Sequence, residues 1–170
     1  MPTRTFLGLD IGTLGVKGVI VAEPDAIRRE VAASLGAACA VDPLSDDLVE
    51  CVHGHTDGRG AEVVFFTAGG VPAIRSAIPA LAKGGWLMLY GSVHPKGDLP
   101  VDPNDIHYRE LNITGTYSHD KESFREAVAL LNERLVDVSA FISERVPFPS
   151  VDYAMQRALA KDTYRVVVEF

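Results

Sequence analysis

The chain has little of what marks nucleic-acid-binding, membrane and secreted proteins. Its 170 residues include 16 lysines and arginines against 23 aspartates and glutamates, and the basic residues form no cluster. The resulting net charge of −7 argues against a nucleic-acid partner, since phosphate binding depends on clustered Lys and Arg. No apolar run approaches the roughly 18 residues of a membrane span, and the opening MPTRTF lacks a signal peptide's apolar stretch. We expect a cytoplasmic protein without membrane contact.

Cysteine is also scarce, which limits the metal sites that the sequence can suggest. Cys39 and Cys51 are the only two, and neither has CxxC spacing or a neighbouring Cys/His cluster along the chain. His53 and His55 in HGH can face one ligand, but a polar helix end running into the 54–60 turn is the favoured interpretation. We therefore predict no metal-binding residue and no zinc.

Apolar runs and helix-like segments alternate after residue 19, which is typical of parallel βαβ units. A length of 170 residues and 47% hydrophobic residues predict a single α/β domain over 1–170. The predicted strands are 16–22, 38–41, 62–67, 86–90 and 111–114. The predicted helices are 25–35, 46–53 with Ser45 as N-cap, 71–82, and two more that begin after Asp120 and Ser150. The proline-containing stretch 94–105 is predicted to be a loop.

The first two apolar runs, 6–9 and 16–22, are too close together for a parallel connection. Only residues 10–15 separate them, whereas a parallel crossover with its helix needs at least about 10 to 12 residues. We therefore predict an antiparallel hairpin at the N-terminus.

Five segments carry a family resemblance in the expected order: VIVAEPDAIRREVAASLGA, DGRGAEVVFFTAGG, LAKGGWLMLYGSVHP, DPNDIHYRELNITGTYS and YRVVVEF. Together they resemble the cofactor-binding domain of medium-chain, zinc-type alcohol and polyol dehydrogenases, over residues 19–170. The resemblance implies an oxidoreductase with NAD as cofactor. It also implies a Rossmann-like, mostly parallel doubly wound sheet, to which the N-terminal hairpin is added.

Glu23 is the strongest candidate for a cofactor contact. It ends a predicted buried strand, where an open α/β sheet binds its ligand. A carboxylate there accepts hydrogen bonds from both ribose hydroxyls of adenosine and repels a 2′-phosphate, which favours NAD over NADP. Arg28, one turn into the next helix, either reaches the same ribose or lies in solvent. For both residues a polar helix start is the alternative.

Other candidates follow the next two strands. The resemblance implies that the nicotinamide end is lined by Thr67, Ala68, Gly69, Gly91 and Ser92, although plain strand-to-loop turns fit these residues equally well. It also places Arg165 near the pyrophosphate, although the sequence fits an arginine that is exposed to water on an edge strand equally well.

The residues that would complete a dehydrogenase are missing. The family binds pyrophosphate on a GxGxxG turn, whereas the glycines here are Gly12, Gly15 and Gly18. The zinc-binding Cys, His and Glu of a preceding catalytic domain are absent as well, so we predict no catalytic residue. We expect a domain that is weak or inactive alone, beside a separate catalytic domain or as a homodimer. The alternative is a non-catalytic structural or interaction module from a gene fusion.

The opening FLGLDIGTLGVKGVIV is similar to the start of carbohydrate kinases of the xylulokinase and glycerol kinase type. That resemblance, limited to about 20 residues, would place Asp10, Gly12, Thr13 and Lys17 near ATP phosphates and magnesium. The kinase's catalytic Asp, adenosine site and second lobe are not found downstream, so a kinase fragment is a remote alternative. We favour a hairpin that supplies a substitute edge strand in place of the first dehydrogenase strand.

Overall fold

A computed structural model describes the backbone of residues 7–11, and residues 18–160 and 162–170 with their side chains. The chain divides into two compact units, Met1–Tyr117 and Ser118–Phe170, each of which is considered by itself. The single domain expected from the sequence stays a prediction.

The first unit contains a six-stranded sheet and four helices. The strands are β1 (Leu7–Ile11), β2 (Gly18–Ala22), β3 (Cys39–Val41), β4 (Ala61–Phe66), β5 (Leu81–Leu89) and β6 (Asn112–Gly115). The helices are α1 (Ala26–Ser34), α2 (Leu48–His55), α3 (Val71–Ala77) and α4 (Pro103–Arg109).

The sheet has the strand order β3-β2-β1-β4-β5-β6, with parallel pairing except at β1. β1 runs antiparallel to both neighbours, so that Leu7 lies opposite Ala22 on one side and Phe66 on the other. The mostly parallel α/β sheet and the N-terminal antiparallel hairpin are therefore confirmed. The expectation of an edge strand was wrong, because β1 fills an interior position of the sheet. The turn between β1 and β2, with Gly12, Thr13 and Lys17, lies outside the described residues.

The core of this unit forms where the central strands meet α2 and α3. Ile20, Val64, Phe66 and Leu87 are fully buried on the strands. Leu48 and Val52 of α2 recur one turn apart and pack into the same cluster, together with Ile74, Ala77 and Ile78 from the α3 segment. Burial of these apolar side chains contributes the main stabilisation, at about 25 cal/mol per Å² of surface removed from water.

Helix α1 turns a different face to the sheet from the one expected. The spacing of Ile27, Val31 and Leu35 predicts that these residues lie on the sheet. Instead Ile27 is 70% exposed and Leu35 is 50% exposed, while Arg28 is buried. A period of 3.6 identifies an amphipathic helix, but a short helix with few apolar residues leaves its orientation to tertiary contacts.

Several boundaries also differ from the sequence-based prediction. Asp47, not Ser45, caps α2, accepting the Glu50 amide at 3.0 Å. Helix α3 ends at Ala77, since Pro79 lacks the amide that the helical ladder needs, and β5 already begins at Leu81. The predicted loop 94–105 ends in an unpredicted helix, α4, which Asp102 caps.

The second unit pairs two parallel strands, β7 (Ile142–Pro147) and β8 (Arg165–Glu169), and contains α5 (Lys121–Asn132) and α6 (Val151–Ala158). Asp120 caps α5 as expected, its Oδ1 accepting the Ser123 amide at 2.7 Å. Val146 and Ala154 are buried, whereas the apolar residues expected in the core of α5 are exposed: Phe124, Val128 and Leu131. Among the helices that the structure describes, none is long and apolar enough to cross a membrane.

Candidate functional site

Glu23 lies directly after β2, at the carboxyl ends of the parallel strands. Its amide donates to the Val41 carbonyl at 3.0 Å, which ties the strand end to β3. The side chain is only 1% exposed. Oε1 accepts the Asp25 amide at 2.9 Å, while Oε2 is buried without a hydrogen-bond partner among the described residues. Since buried carboxylate oxygens are nearly always hydrogen-bonded, Oε2 is an acceptor that the described residues leave unused.

The charges around Glu23 only partly compensate for its burial. Burial raises the pKa of the Glu23 carboxyl, and the Asp25 amide and the positive charge of Arg28 oppose that rise. The charge of Arg29 opposes the rise to a smaller degree; its Nη1 donates to the Glu23 carbonyl at 2.7 Å and lies 3.3 Å from Asp42 Oδ2. The carboxylate therefore lies in an environment that gains from an additional hydrogen-bond donor.

The two arginines at the start of α1 have separate roles. Arg28 is only 8% exposed, so the alternative in which it lies in solvent was wrong. Its amide donates to Asp25 Oδ1 at 3.1 Å, completing the N-cap of α1. Arg29, which the sequence did not single out, clamps the strand end through Glu23 and Asp42. Because the two arginines are adjacent at a helix start, the sequence does not indicate which of the two side chains is buried.

The ends of β4 and β5 come into close contact at the same edge. The Phe66 carbonyl accepts the amides of Tyr90 and Gly91, at 3.0 and 2.8 Å. A Cβ on Gly91 would lie 2.0 Å from the Thr67 carbonyl oxygen, so only glycine fits there. Gly69 adopts a φ of 126° in the turn that follows β4. The nearby backbone of Thr67, rather than a cofactor ring, thus accounts for glycine at Gly91.

The structure places most of the predicted site residues along this edge. Glu23 follows β2; Thr67, Ala68 and Gly69 follow β4; and Gly91 and Ser92 follow β5. Gly69 is buried, Ala68 is half-buried and Ser92 is exposed. Arg165 is exposed in the second unit, where it opens β8 opposite Ile142. Their cofactor roles stay predictions.

The fit to a dinucleotide differs between its two ends. The unpartnered Glu23 Oε2 suits an adenosine ribose hydroxyl. The pyrophosphate end fits less well, because β1 runs antiparallel and brings its amino end, Leu7, to this edge beside Ala22 and Phe66. A glycine-rich turn from β1 into a helix, which would present amides to phosphate, has no counterpart here among the described residues.

Away from this edge, the structure brings together two cysteines and a histidine. The sulfurs of Cys39, on β3, and Cys51, on α2, lie 3.1 Å apart. His55 Nδ1 lies 3.8 Å from the Cys51 sulfur and 2.8 Å from the Cys51 carbonyl oxygen. The expectation of two cysteines without a Cys/His cluster was wrong, because the packing of α2 on β3 closes a 12-residue gap that spacing alone does not reveal.

The immediate environment holds the Cys51 thiol in its protonated form. Burial raises the pKa of Cys51 to about 12, and the hydrogen bond and charge of Cys39 and the carboxylate of Asp46 add to the rise. The Cys51 thiol is therefore a poor nucleophile at neutral pH, since the thiolate is the reactive form.

Comparison with known proteins assigns the fold to a family. Residues 12–133 match the sequence profile of the zinc-binding dehydrogenases. The chain belongs to this family. It is 29% identical over 157 residues to L-threonine 3-dehydrogenase of Caldanaerobacter subterraneus, covering 91% of this chain and 45% of that protein. It is 31% identical over 136 residues to 2-dehydro-3-deoxy-L-galactonate 5-dehydrogenase of Pseudoalteromonas atlantica, covering 80% of this chain and 39% of that protein.

Solved structures of the same kind share the fold. A zinc-binding dehydrogenase from Sinorhizobium meliloti bound to NADP is 25% identical, with a TM-score of 0.79 over 91% of this chain and 45% of that one. Alcohol dehydrogenase TADH from Thermus sp. ATN1 is 21% identical, with a TM-score of 0.82 over 92% of this chain and 45% of that one. The chain spans less than half the length of these relatives. The Rossmann-like fold of a medium-chain dehydrogenase cofactor domain is thus confirmed.

The kinase and fusion interpretations gain no support from these relatives. The family match begins at residue 12, inside the segment that is similar to carbohydrate kinases, and each relative described above is a dehydrogenase. Of the kinase-like residues, only the backbone of Asp10 is described, where it pairs with Val19 and Val63.

Proposed function

We propose that this chain is the NAD-binding domain of a medium-chain alcohol or polyol dehydrogenase, with weak cofactor affinity when alone. The unpartnered, buried Oε2 of Glu23 is the observation that carries this proposal. A buried polar atom without a partner costs stability, and such atoms are expected at functional sites, where a ligand provides the missing contact.

Glu23 supports NAD over NADP on electrostatic grounds. A ribose hydroxyl of NAD would donate to Oε2, whereas a 2′-phosphate would bring a second negative charge against a buried carboxylate. The Sinorhizobium meliloti relative is described as bound to NADP, so the choice between the two cofactors depends on residues of the individual chain. When bound, the nicotinamide would accept or supply a hydride.

The cofactor affinity is weak because the pyrophosphate lacks the glycine-rich turn that usually binds it. The glycine-rich turn of the family normally supplies backbone amides and a helix N-terminus to the pyrophosphate. Here β1 fills the corresponding position in the sheet with the opposite direction. Catalysis on an alcohol or polyol would depend on a separate catalytic domain. That partner and the homodimer implied by the resemblance also stay proposals.

Calorimetric titration of the purified chain with NADH, NADPH and Mg-ATP tests the function. We expect binding of NADH, weaker binding of NADPH and none of Mg-ATP. Glu23→Gln should weaken NADH binding by at least about 10-fold, since a hydrogen bond to a charged group contributes about 1.5 to 3 kcal/mol. Glu30→Gln is the matched control, because it removes the same charge from an exposed position on α1.

The outcomes separate the alternatives. NADH affinity that is lost in Glu23→Gln and kept in Glu30→Gln supports the NAD site. Absence of binding by any dinucleotide up to millimolar concentration favours the non-catalytic structural module. Binding of Mg-ATP alone would overturn the proposal in favour of the kinase-like segment.

A further inference from the structure

The cluster of Cys39, Cys51 and His55 lies apart from the cofactor edge. Cys39 opens β3 opposite Ile20, whereas Glu23 contacts the other end of the same strand at Val41. Helix α2 runs back along β3, so that Cys51 and, one turn later, His55 lie at the Cys39 end. The proposed dinucleotide site uses none of these three residues.

The three side chains offer a ligand set with a clear chemical preference. The two sulfurs and a ring nitrogen of His55 all lie within 4.8 Å of one another. Thiolate and imidazole ligands favour Zn²⁺ over the hard cations Mg²⁺ and Ca²⁺, which prefer oxygen. Cys51 and His55 are one helical turn apart on one face, a spacing that lets both reach a single ion.

The distances are close to those of a tetrahedral zinc site. With Zn–S bonds of about 2.3 Å and Zn–N bonds of about 2.0 Å, tetrahedral angles put two sulfurs roughly 3.8 Å apart and a sulfur and a nitrogen roughly 3.5 Å apart. The corresponding distances here are 3.1 Å between the sulfurs and 3.8 Å between Cys51 Sγ and His55 Nδ1. The two sulfurs would have to separate by roughly 0.7 Å, whereas Cys51 Sγ and His55 Nδ1 need to approach by only a few tenths of an ångström, and side-chain rotation can supply changes of this size.

We propose that Cys39, Cys51 and His55 form a zinc-binding site that fastens the edge strand β3 to helix α2. The two cysteines are half-buried and His55 is exposed, so the ion has a path from solvent and keeps its fourth position for water. Binding replaces the contact between His55 Nδ1 and the Cys51 carbonyl and releases the two thiol protons. Because β3 has only three residues, a tie to α2 would stabilise the weakest edge of the sheet.

Titration of the reduced, metal-free chain with Zn²⁺, in competition with a chromogenic chelator, tests the site. We expect one equivalent of zinc to bind. With Co²⁺ as a probe, we expect thiolate-to-metal charge-transfer absorption in the near ultraviolet and tetrahedral d–d bands in the visible. At a hundredfold excess over Kd, zinc should raise the unfolding midpoint by roughly 5–10 °C.

Variants assign the ligands. Cys39→Ser, Cys51→Ser and His55→Ala should each weaken zinc binding by at least about 10-fold and lower the charge-transfer or d–d intensity. His53→Ala is the matched control, since His53 shares the helix but contributes no ligand atom to the cluster. Unfolding curves of the metal-free variants show whether each one folds, and the intact chain's Co²⁺ spectrum provides a readout that does not depend on the variants.

Three results would overturn the proposal. One is the absence of thiolate–Co²⁺ absorption in the fully reduced chain. Another is zinc binding that the His53→Ala variant loses as strongly as the His55→Ala variant. If the purified chain carries a Cys39–Cys51 disulfide, seen as a mass about 2 Da below that of the reduced form, and still binds no zinc after reduction, the pair is a redox couple and the metal site is refuted.

Discussion

Replacement of Glu23 by glutamine tests whether the buried carboxylate lowers the free energy of unfolding when no ligand is bound. Glutamine has nearly the same shape and keeps the oxygen that accepts the Asp25 amide, but it carries no charge. Because burial raises the pKa of Glu23, the wild-type chain binds this proton more tightly when folded than when unfolded. Its folded state is therefore favoured at low pH and loses stability as the carboxyl ionises.

The sign and size of the effect follow from that linkage. At pH 4 the Glu23 carboxyl is protonated in the folded chain, and the carboxylate contributes no penalty. As pH rises from the ordinary glutamate value of 4.5 through the raised folded value, the buried carboxylate destabilises the wild type but leaves the glutamine variant unaffected. By pH 8 the variant should have gained stability over the wild type relative to pH 4, by about 1.4 kcal/mol for each unit by which the folded chain raises the pKa of Glu23.

Urea denaturation of both proteins at pH 4, 6 and 8 measures this difference. Glu30→Gln serves as the control, because its exposed side chain removes a charge without changing any burial. A difference between wild type and Glu23→Gln that is the same at all three pH values would refute the reasoning. So would a variant that loses stability relative to the wild type as pH rises.

Two further predictions concern contacts that the fold requires. Gly91→Ala should lower the free energy of unfolding by about 3 kcal/mol or more, since its Cβ would collide with the Thr67 carbonyl. Gly54→Ala, on the open face of α2, should instead stabilise by roughly 0.5–1 kcal/mol, and chemical denaturation measures both. Arg109→Ala should cost about 1–3 kcal/mol by the same measurement, because its Nη2 donates to carbonyls that follow α3, at 2.6 Å in the shortest contact. The exposed Arg75→Ala should change stability by less than about 0.5 kcal/mol.

Local features explain why some elements were predictable. The hairpin of β1 and β2 follows from the short segment between two apolar runs, which no parallel crossover can fit. Asp120 caps α5 because its carboxylate and the first helical amides are neighbours in sequence. The missed helix α4 had a comparable local signal, Asp102 followed by Pro103 at the first helical position, but the surrounding prolines favoured a loop.

Features that depend on packing between distant segments were not predictable. The sequence placed Glu23 at a strand end, but only the structure shows that one of its oxygens lacks a partner while the other accepts the Asp25 amide. From the sequence, Gly91 indicates only a turn. Its close contact with Thr67 arises because the segments that follow two neighbouring strands lie side by side.

The sequence by itself determined the fold class, the family and the strand-end position of Glu23, because alternating apolar runs and cap residues act over a few neighbouring positions. The tertiary structure decided the interior position of β1, the face that α1 turns inward and the meeting of Cys39 with Cys51 and His55. These features depend on which surfaces pack against each other and exclude water. Local sequence does not decide them, because each such contact is formed by segments that lie far apart in the chain.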